Sequence, residues 1–177
     1  MSIFMSKLQL KKELQKLTKE QLIEQITELY DTYKPVKEYY KTFLNPDNIQ
    51  DLFTKYKAII VHEFYPENKS RNPKLRFSVA KKAIADFSTL KPPPILLADL
   101  MVTLVENACQ LTHDYGDMSE QFYNSAVNNF ERALKYLQKE GLLDDFRSQC
   151  EDCLKYAEFC GYGFSDEMNA VFDDYYQ

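Results

Sequence analysis

PPPILLADLMVTLVENACQLTHDYG, residues 92–116, is the densest apolar run in the chain, and its reading decides the fold. On a helix at about 100° per residue, Leu97, Leu100, Met101, Leu104, Val105, Ala108 and Leu111 fall within one arc. Val102 and Cys109 widen that arc beyond half the circumference, and Asp99, Thr103, Glu106, Gln110, His113 and Asp114 share the remaining strip. A surface helix carries a narrower apolar stripe, so this one is expected to be covered on more than one side. The prolines at 92–94 block continuation from upstream, and Gly116 is expected to supply a left-handed stop. Burying Leu97, Leu100, Leu104, Val105 and Leu111 at about 1.5–3 kcal/mol each gives roughly 8–15 kcal/mol. That equals the whole net stability of a typical domain, about 5–15 kcal/mol. The helix over 95–115 is read as the core element.

Outward from it, the chain reads as amphipathic helices separated by clear stops. Upstream, Lys7–Leu17 forms a basic helix, and Thr18-Lys-Glu-Gln21 is a capping box for a second, striped with Leu22, Ile26, Leu29, Tyr30 and Tyr33. Pro35 suits the first position of a third helix, which ends before Asn45-Pro46. Asp47 or Asn48 is expected to cap a fourth, reaching about Tyr65 with Ile49, Leu52, Phe53, Tyr56, Ile60 and Phe64 inward. Residues 66–74 have no periodicity and read as a loop. Phe77, Ala80, Ala83, Ile84 and Phe87 mark a fifth helix. Downstream, Ser119 opens a helix to Glu140 that Gly141 stops. Leu142–Cys160 follows, then a break at Gly161-Tyr162-Gly163 and a short last helix with Met168, Val171, Phe172 and Tyr175. Residues 122–141 are similar to the second helix of a tetratricopeptide hairpin, with Ala133 at the close-packing position. No second copy superposes at a period of about 34 residues. The expectation is an all-α single domain over 1–177, with about nine helices packed as hairpins and residues 1–6 frayed.

Composition agrees with a globular chain, at 45% hydrophobic and 28% charged over 177 residues, able to bury a core without disulfides or metals. Four glycines argue against a turn-rich β fold and against glycine-rich phosphate loops. Asp99 and Glu106 interrupt the best candidate for a membrane span, and MSIFMSKLQLKK lacks the pattern of a signal peptide. The expectation is a cytoplasmic protein with no membrane partner. The net charge of −5 is uneven: residues 1–91 hold 17 Lys+Arg against 11 Asp+Glu, or +6, and residues 92–177 hold 5 against 16, or −11. Either the two halves dock on each other, or the basic half meets an anionic partner such as nucleic acid.

LTKEQLIEQITELYDTYKPVKEYYKTFLNP, PKLRFSVAKKAIADF, LLADLMVTLVENACQLTHDYGD, GLLDDF and GYGF together resemble a bacterial family of small proteins catalogued as a domain of unknown function. The likeness runs from about Ser6 to Tyr176. It implies an all-helical fold, and it carries over no activity, cofactor or site.

Three groups of residues could carry chemistry. Lys69, Arg71, Lys74, Arg76, Lys81 and Lys82 form a basic island that crosses a helix N-terminus, and Lys74, Arg76, Lys81 and Lys82 are the candidate anion contacts. Cys150-x-x-Cys153, Cys160 and Cys109 superficially suggest zinc. However, Leu143, Phe146, Cys150, Cys153, Ala157 and Cys160 follow the three–four steps of a core seam, so the cysteines read as buried thiols. Asp99, Glu106 and His113 repeat every seven residues along one strip. Glu63 falls inside the apolar arc of Leu52, Tyr56 and Ile60, where a carboxylate needs a partner; Arg76 and Arg132 are the candidates. No Gly-x-Ser-x-Gly elbow or Gly-x-x-x-x-Gly-Lys loop is present. The leading expectation is a protein-interaction or scaffold module with no cofactor or metal, using grooves between hairpins and exposed tyrosines to bind another protein. The alternative is nucleic-acid or phosphate binding through 69–82, and the third is a metal-dependent enzyme using Glu63, Asp99, Glu106 and His113.

Overall fold

The computed structural model describes residues 5–45, 48–67 and 72–176. Among them, nine helices account for 78% of residues, with no strand. In order they are α1 (Lys7–Leu14), α2 (Lys19–Thr32), α3 (Lys34–Leu44), α4 (Asn48–Phe64), α5 (Phe77–Ser88), α6 (Pro94–Tyr115), α7 (Glu120–Glu140), α8 (Leu143–Ala157) and α9 (Phe164–Asp173). The class is all-α, as the periodicity requires. The helices group into two compact units, 1–47 and 48–177.

The larger unit is assembled on α6, which packs against α4, α5, α7 and α8, while α9 closes on α7 and α8. Leu100, Val102, Leu104, Val105, Ala108, Cys109 and Leu111 are all buried, whereas Leu97 and Met101 are half-buried, so most of the wide apolar arc is enclosed. The polar strip is covered too: Thr103 is buried and only His113 and Asp114 of the strip are exposed. Lys57 of α4 reaches across to Asp99 at 2.6 Å, and Thr103 donates to the same carboxylate at 3.1 Å. By length and composition α6 would also pass as a membrane span, so the two acids do not interrupt it as expected from sequence. More than half of its apolar window lies inside the unit, which accounts for that composition by interior packing.

Local signals act as their chemistry dictates. Thr18 and Gln21 form the reciprocal cap on α2, and a second such box at Ser6 and Gln9 opens α1. Ser119 accepts from the Phe122 amide, and Gly141 sits in the left-handed region. Gly116 ends α6 differently from the expectation: at φ 90° and ψ −166° it is extended with positive φ, a region open to glycine alone. Pro35 stands at the second position of α3. Helix α8 stops at Ala157 and does not reach Cys160, because Glu158 is extended and Phe159 turns to φ 67°. Asp47, one expected cap of α4, lies outside the described residues.

The smaller unit is built differently. Helices α2 and α3 pair through Tyr30 against Tyr40, ring centroids 6.4 Å apart, with Lys37 over the Tyr30 ring at 5.7 Å. None of the residues between 5 and 45 whose burial is described is buried. The stripe read from sequence is present, yet Ile26, Leu29 and Tyr33 are exposed.

Leu111 is wholly buried at the centre of the larger unit. Leu111→Ala is expected to cost about 2–5 kcal/mol in urea unfolding, with the helical signal of the folded state unchanged.

Candidate functional site

Glu63 illustrates how a buried acid is made tolerable. It lies at the end of α4 with a side chain 4% exposed, and Arg76 donates to it twice, from Nε and Nη2, both at 2.8 Å. This fork holds the Glu63 carboxyl below its usual range, with Lys74 adding to the effect and burial opposing it. The Glu63 backbone carbonyl accepts from the amides of Lys74 and Leu75 at 2.9 and 3.0 Å. One residue therefore anchors the chain as it enters α5, including Leu75 at φ 55°. Arg76 is the partner, Arg132 is not, and the carboxylate is fully engaged.

The basic island is divided by this arrangement. Lys69 and Arg71 lie outside the described residues. Arg76 serves Glu63, and Lys82 pairs with Asp86 one turn along at 2.9 Å. Lys74 and Lys81 are exposed and make no ion pair among the described residues. Among the described residues, the segment makes no ion pair with the acids of 140–174, and the ion pair joining the basic and acidic halves is Lys57–Asp99. Lys81 and Lys82 instead border a groove of about 560 Å³. Its floor is α6, with Met101 and Leu104, and its walls are α5, with Ile84 and Ala85, and α7, with Asn129 and Arg132.

The acidic strip on α6 does not converge. Asp99 and His113 are fourteen residues apart, about 21 Å along a helix. Asp99 serves Lys57 and Thr103. Glu106 is half-buried; burial raises its carboxyl above the usual range, the negative charges of Asp152 and Asp99 add to this, and Lys57 opposes. His113 is exposed beside the Tyr156 ring, centroids 5.7 Å apart. Among the described residues, no group of three or more His, Cys, Asp and Glu side chains is placed to hold a metal ion.

The cysteines lie on the seam between α6 and α8. Cys109, Cys150 and Cys153 are buried and Cys160 partly so, all unpaired. Burial pushes the Cys150 thiol up to about 11, and a hydrogen bond with Cys109 together with burial raises Cys153 well above its ordinary value. Cys150 and Cys153 thus behave as small apolar groups.

Sequence reasoning missed the end of the larger unit where three of the four glycines gather. Tyr123 donates to Asp117 and accepts from the Met118 amide at 2.9 Å, while its ring stacks on Phe164 with centroids 4.4 Å apart. Asp117 also accepts from the Gly161 amide at 3.1 Å. The HDYGD and GYGF segments are thereby tied together. Beside this tie Phe159 is 97% exposed at φ 67° and Tyr162 is 66% exposed at φ 56°. The signal available was the glycine spacing, which marks breaks without telling which breaks meet.

The family model for a family of unknown function, DUF6155, matches residues 5–176, and the chain belongs to that family. No curated protein and no solved structure matches it.

Two outcomes follow from the geometry. The Glu63 carboxyl has a folded-state pKa below its ordinary 4.5, so its pairing stabilises the fold fully above about pH 4.5 and ceases to do so as pH falls through the lower folded value. Glu63→Gln is therefore expected to be less stable than the parent near neutrality, with the gap closing on acidification, read by urea titrations across that range. At Gly161, an added Cβ would sit 2.7 Å from Asp117 Oδ2. Gly161→Ala is expected to cost about 1–3 kcal/mol in the same assay.

Proposed function

We propose that this protein is a non-catalytic protein-interaction module whose contact element is the α2–α3 hairpin. One observation carries the reading. Of thirteen exposed large apolar side chains among the described residues, nine lie within the first 44 residues: Met5, Leu8, Leu10, Ile23, Ile26, Leu29, Tyr33, Phe43 and Leu44. A folded soluble surface does not concentrate apolar groups in this way without a partner. Six of the nine, Ile23, Ile26, Leu29, Tyr33, Phe43 and Leu44, lie on α2 and α3 or at the residue between them, and each is 41–68% exposed.

The hairpin also has a shape to receive something. Ile23, Ile26, Thr27, Tyr30, Tyr40 and Leu44 line an apolar groove of about 460 Å³ between the two helices. Residues 1–47 carry 8 Lys against 7 Asp+Glu, so the net field is +1 and recognition rests on apolar fit. The partner chemistry that fits is an amphipathic helical surface, whose apolar stripe laid on α2 and α3 completes a helical bundle. The deeply placed carboxylate of Glu63 is engaged by Arg76, and Asp99 by Lys57. That weighs against the metal-dependent reading. Lys82 and Arg76 are likewise engaged, which weighs against a continuous cationic track for nucleic acid.

Ile26→Glu places a charge in the groove on an exposed position, so the fold should tolerate it. The parent protein is expected to form a stoichiometric complex, with itself in light scattering or with a helical protein recovered from its own cell extract, and the variant to lose it with unchanged helicity. A parent that stays monomeric and unaccompanied, or a variant with the same complex, would overturn the reading.

A further inference from the structure

Lys81 and Arg132 stand on different helices, fifty-one positions apart in sequence, and both face one groove. Neither makes an ion pair among the described residues, unlike Arg76 and Lys82 beside them. Between them the surface is apolar, formed by Met101, Ile84 and Ala85 with the buried Leu104 beneath. Asn129 is buried and donates its amide nitrogen to the Ser125 carbonyl at 2.6 Å, which fixes the side chain at the groove wall. Ser78 adds a hydroxyl at the rim.

We propose that this groove binds a small amphiphilic anion, with a carboxylate or phosphate head held between Lys81 and Arg132 and an alkyl or aryl body lying on Met101, Ile84 and Ala85. Three features select this class. Two unpaired cations on opposing walls leave a charge deficit that one anionic head satisfies, and a guanidinium grips a carboxylate or phosphate through two parallel hydrogen bonds. The apolar floor excludes a purely inorganic anion as the best occupant, because it would leave Met101 and Ile84 wet. The volume of about 560 Å³ falls in the range of about 300–1,000 Å³ typical of small-molecule sites. The chain as a whole is acidic, at −5, so the field of the molecule does not draw anions to it; selection must come from this local pair. The site is separate from the α2–α3 hairpin and stands or falls independently of it.

The test uses the full chain and calorimetric titration with octanoate, octyl phosphate, octanamide, acetate and inorganic phosphate. Octanoate or octyl phosphate is expected to bind one to one with a dissociation constant of about 1 mM or below, and whichever binds tighter identifies the head. Octanamide, with the same tail and no charge, and acetate and phosphate, with charge and no tail, are each expected to bind at least tenfold more weakly. Lys81→Gln and Arg132→Gln, both at exposed positions, are each expected to weaken octanoate or octyl phosphate about tenfold. Ala85→Phe, also exposed, is expected to fill the groove and abolish binding with the fold retained by circular dichroism. The proposal is overturned if neither octyl anion binds, if octanamide or the tail-less anions bind equally well, or if the three folded variants bind as the parent does.

Discussion

The enclosure of α6 is the constraint on which the larger unit depends. A helix apolar over more than half its circumference is costly in water on any single face, so it must be surrounded. Four helices pack against it, and each of them then needs only one stripe. That explains the narrower stripes of α5, α7 and α8, and α9 in turn packs on α7 and α8. It also explains the fate of the polar strip. Once neighbours close in, Asp99 and Thr103 lose water, and the long Lys57 side chain restores a partner from α4 while keeping its own ammonium partly wet.

A second dependence follows at the point where the chain returns from the loop. Helix α4 buries Ile60, Phe64 and Glu63 together at its C-terminal end. The carboxylate is costly there unless it is paired, and the bidentate Arg76 supplies the pairing. Because Arg76 is the residue preceding α5, pairing Glu63 also sets where α5 begins. The basic character of that segment is thus partly internal: two of its cations neutralise acids of the same unit. What remains for outside ligands among the described residues of that segment is Lys74 and Lys81, and Lys81 shares its groove with Arg132 of α7.

How much of this was legible depends on the range of the interaction. Contacts within one helix or one cap were readable: the α6 arc, the Thr18 and Ser119 caps, the Gly141 stop and the thiol seam of α8 all follow from spacing along a single element. Glu63 was flagged by its position in an apolar arc, and thirteen residues separate it from Arg76, close enough to enumerate partners. The Asp117–Gly161 tie and the Lys81–Arg132 groove join residues forty-four and fifty-one positions apart, and nothing local fixes such pairs; they arise from the order in which helices stack. Left-handed φ at Leu75, Phe159 and Tyr162 had no signal either, since these residue types disfavour it and are held there by their surroundings.

The hairpin shows the deeper limit of periodicity. Its stripe of Leu22, Ile26, Leu29, Tyr30 and Tyr33 is as regular as those of α5 or α7, and a regular stripe states only that something covers it. For α5 and α7 the cover is α6 and its neighbours, whereas on α2 and α3 several of the same residue types stay in water. A three-helix unit of under fifty residues has too little interior to hold itself rigid by burial alone. The pattern is explained if the selected state includes a second surface, because apolar side chains at helical spacing with charges on the opposite side are what a bundle interface requires. The larger unit obeys the opposite logic, since its own helices cover α6, and the groove between α5 and α7 has cations beside an apolar floor. In the smaller unit, the exposed stripe of α2 and α3 is the surface that the proposed interaction would cover.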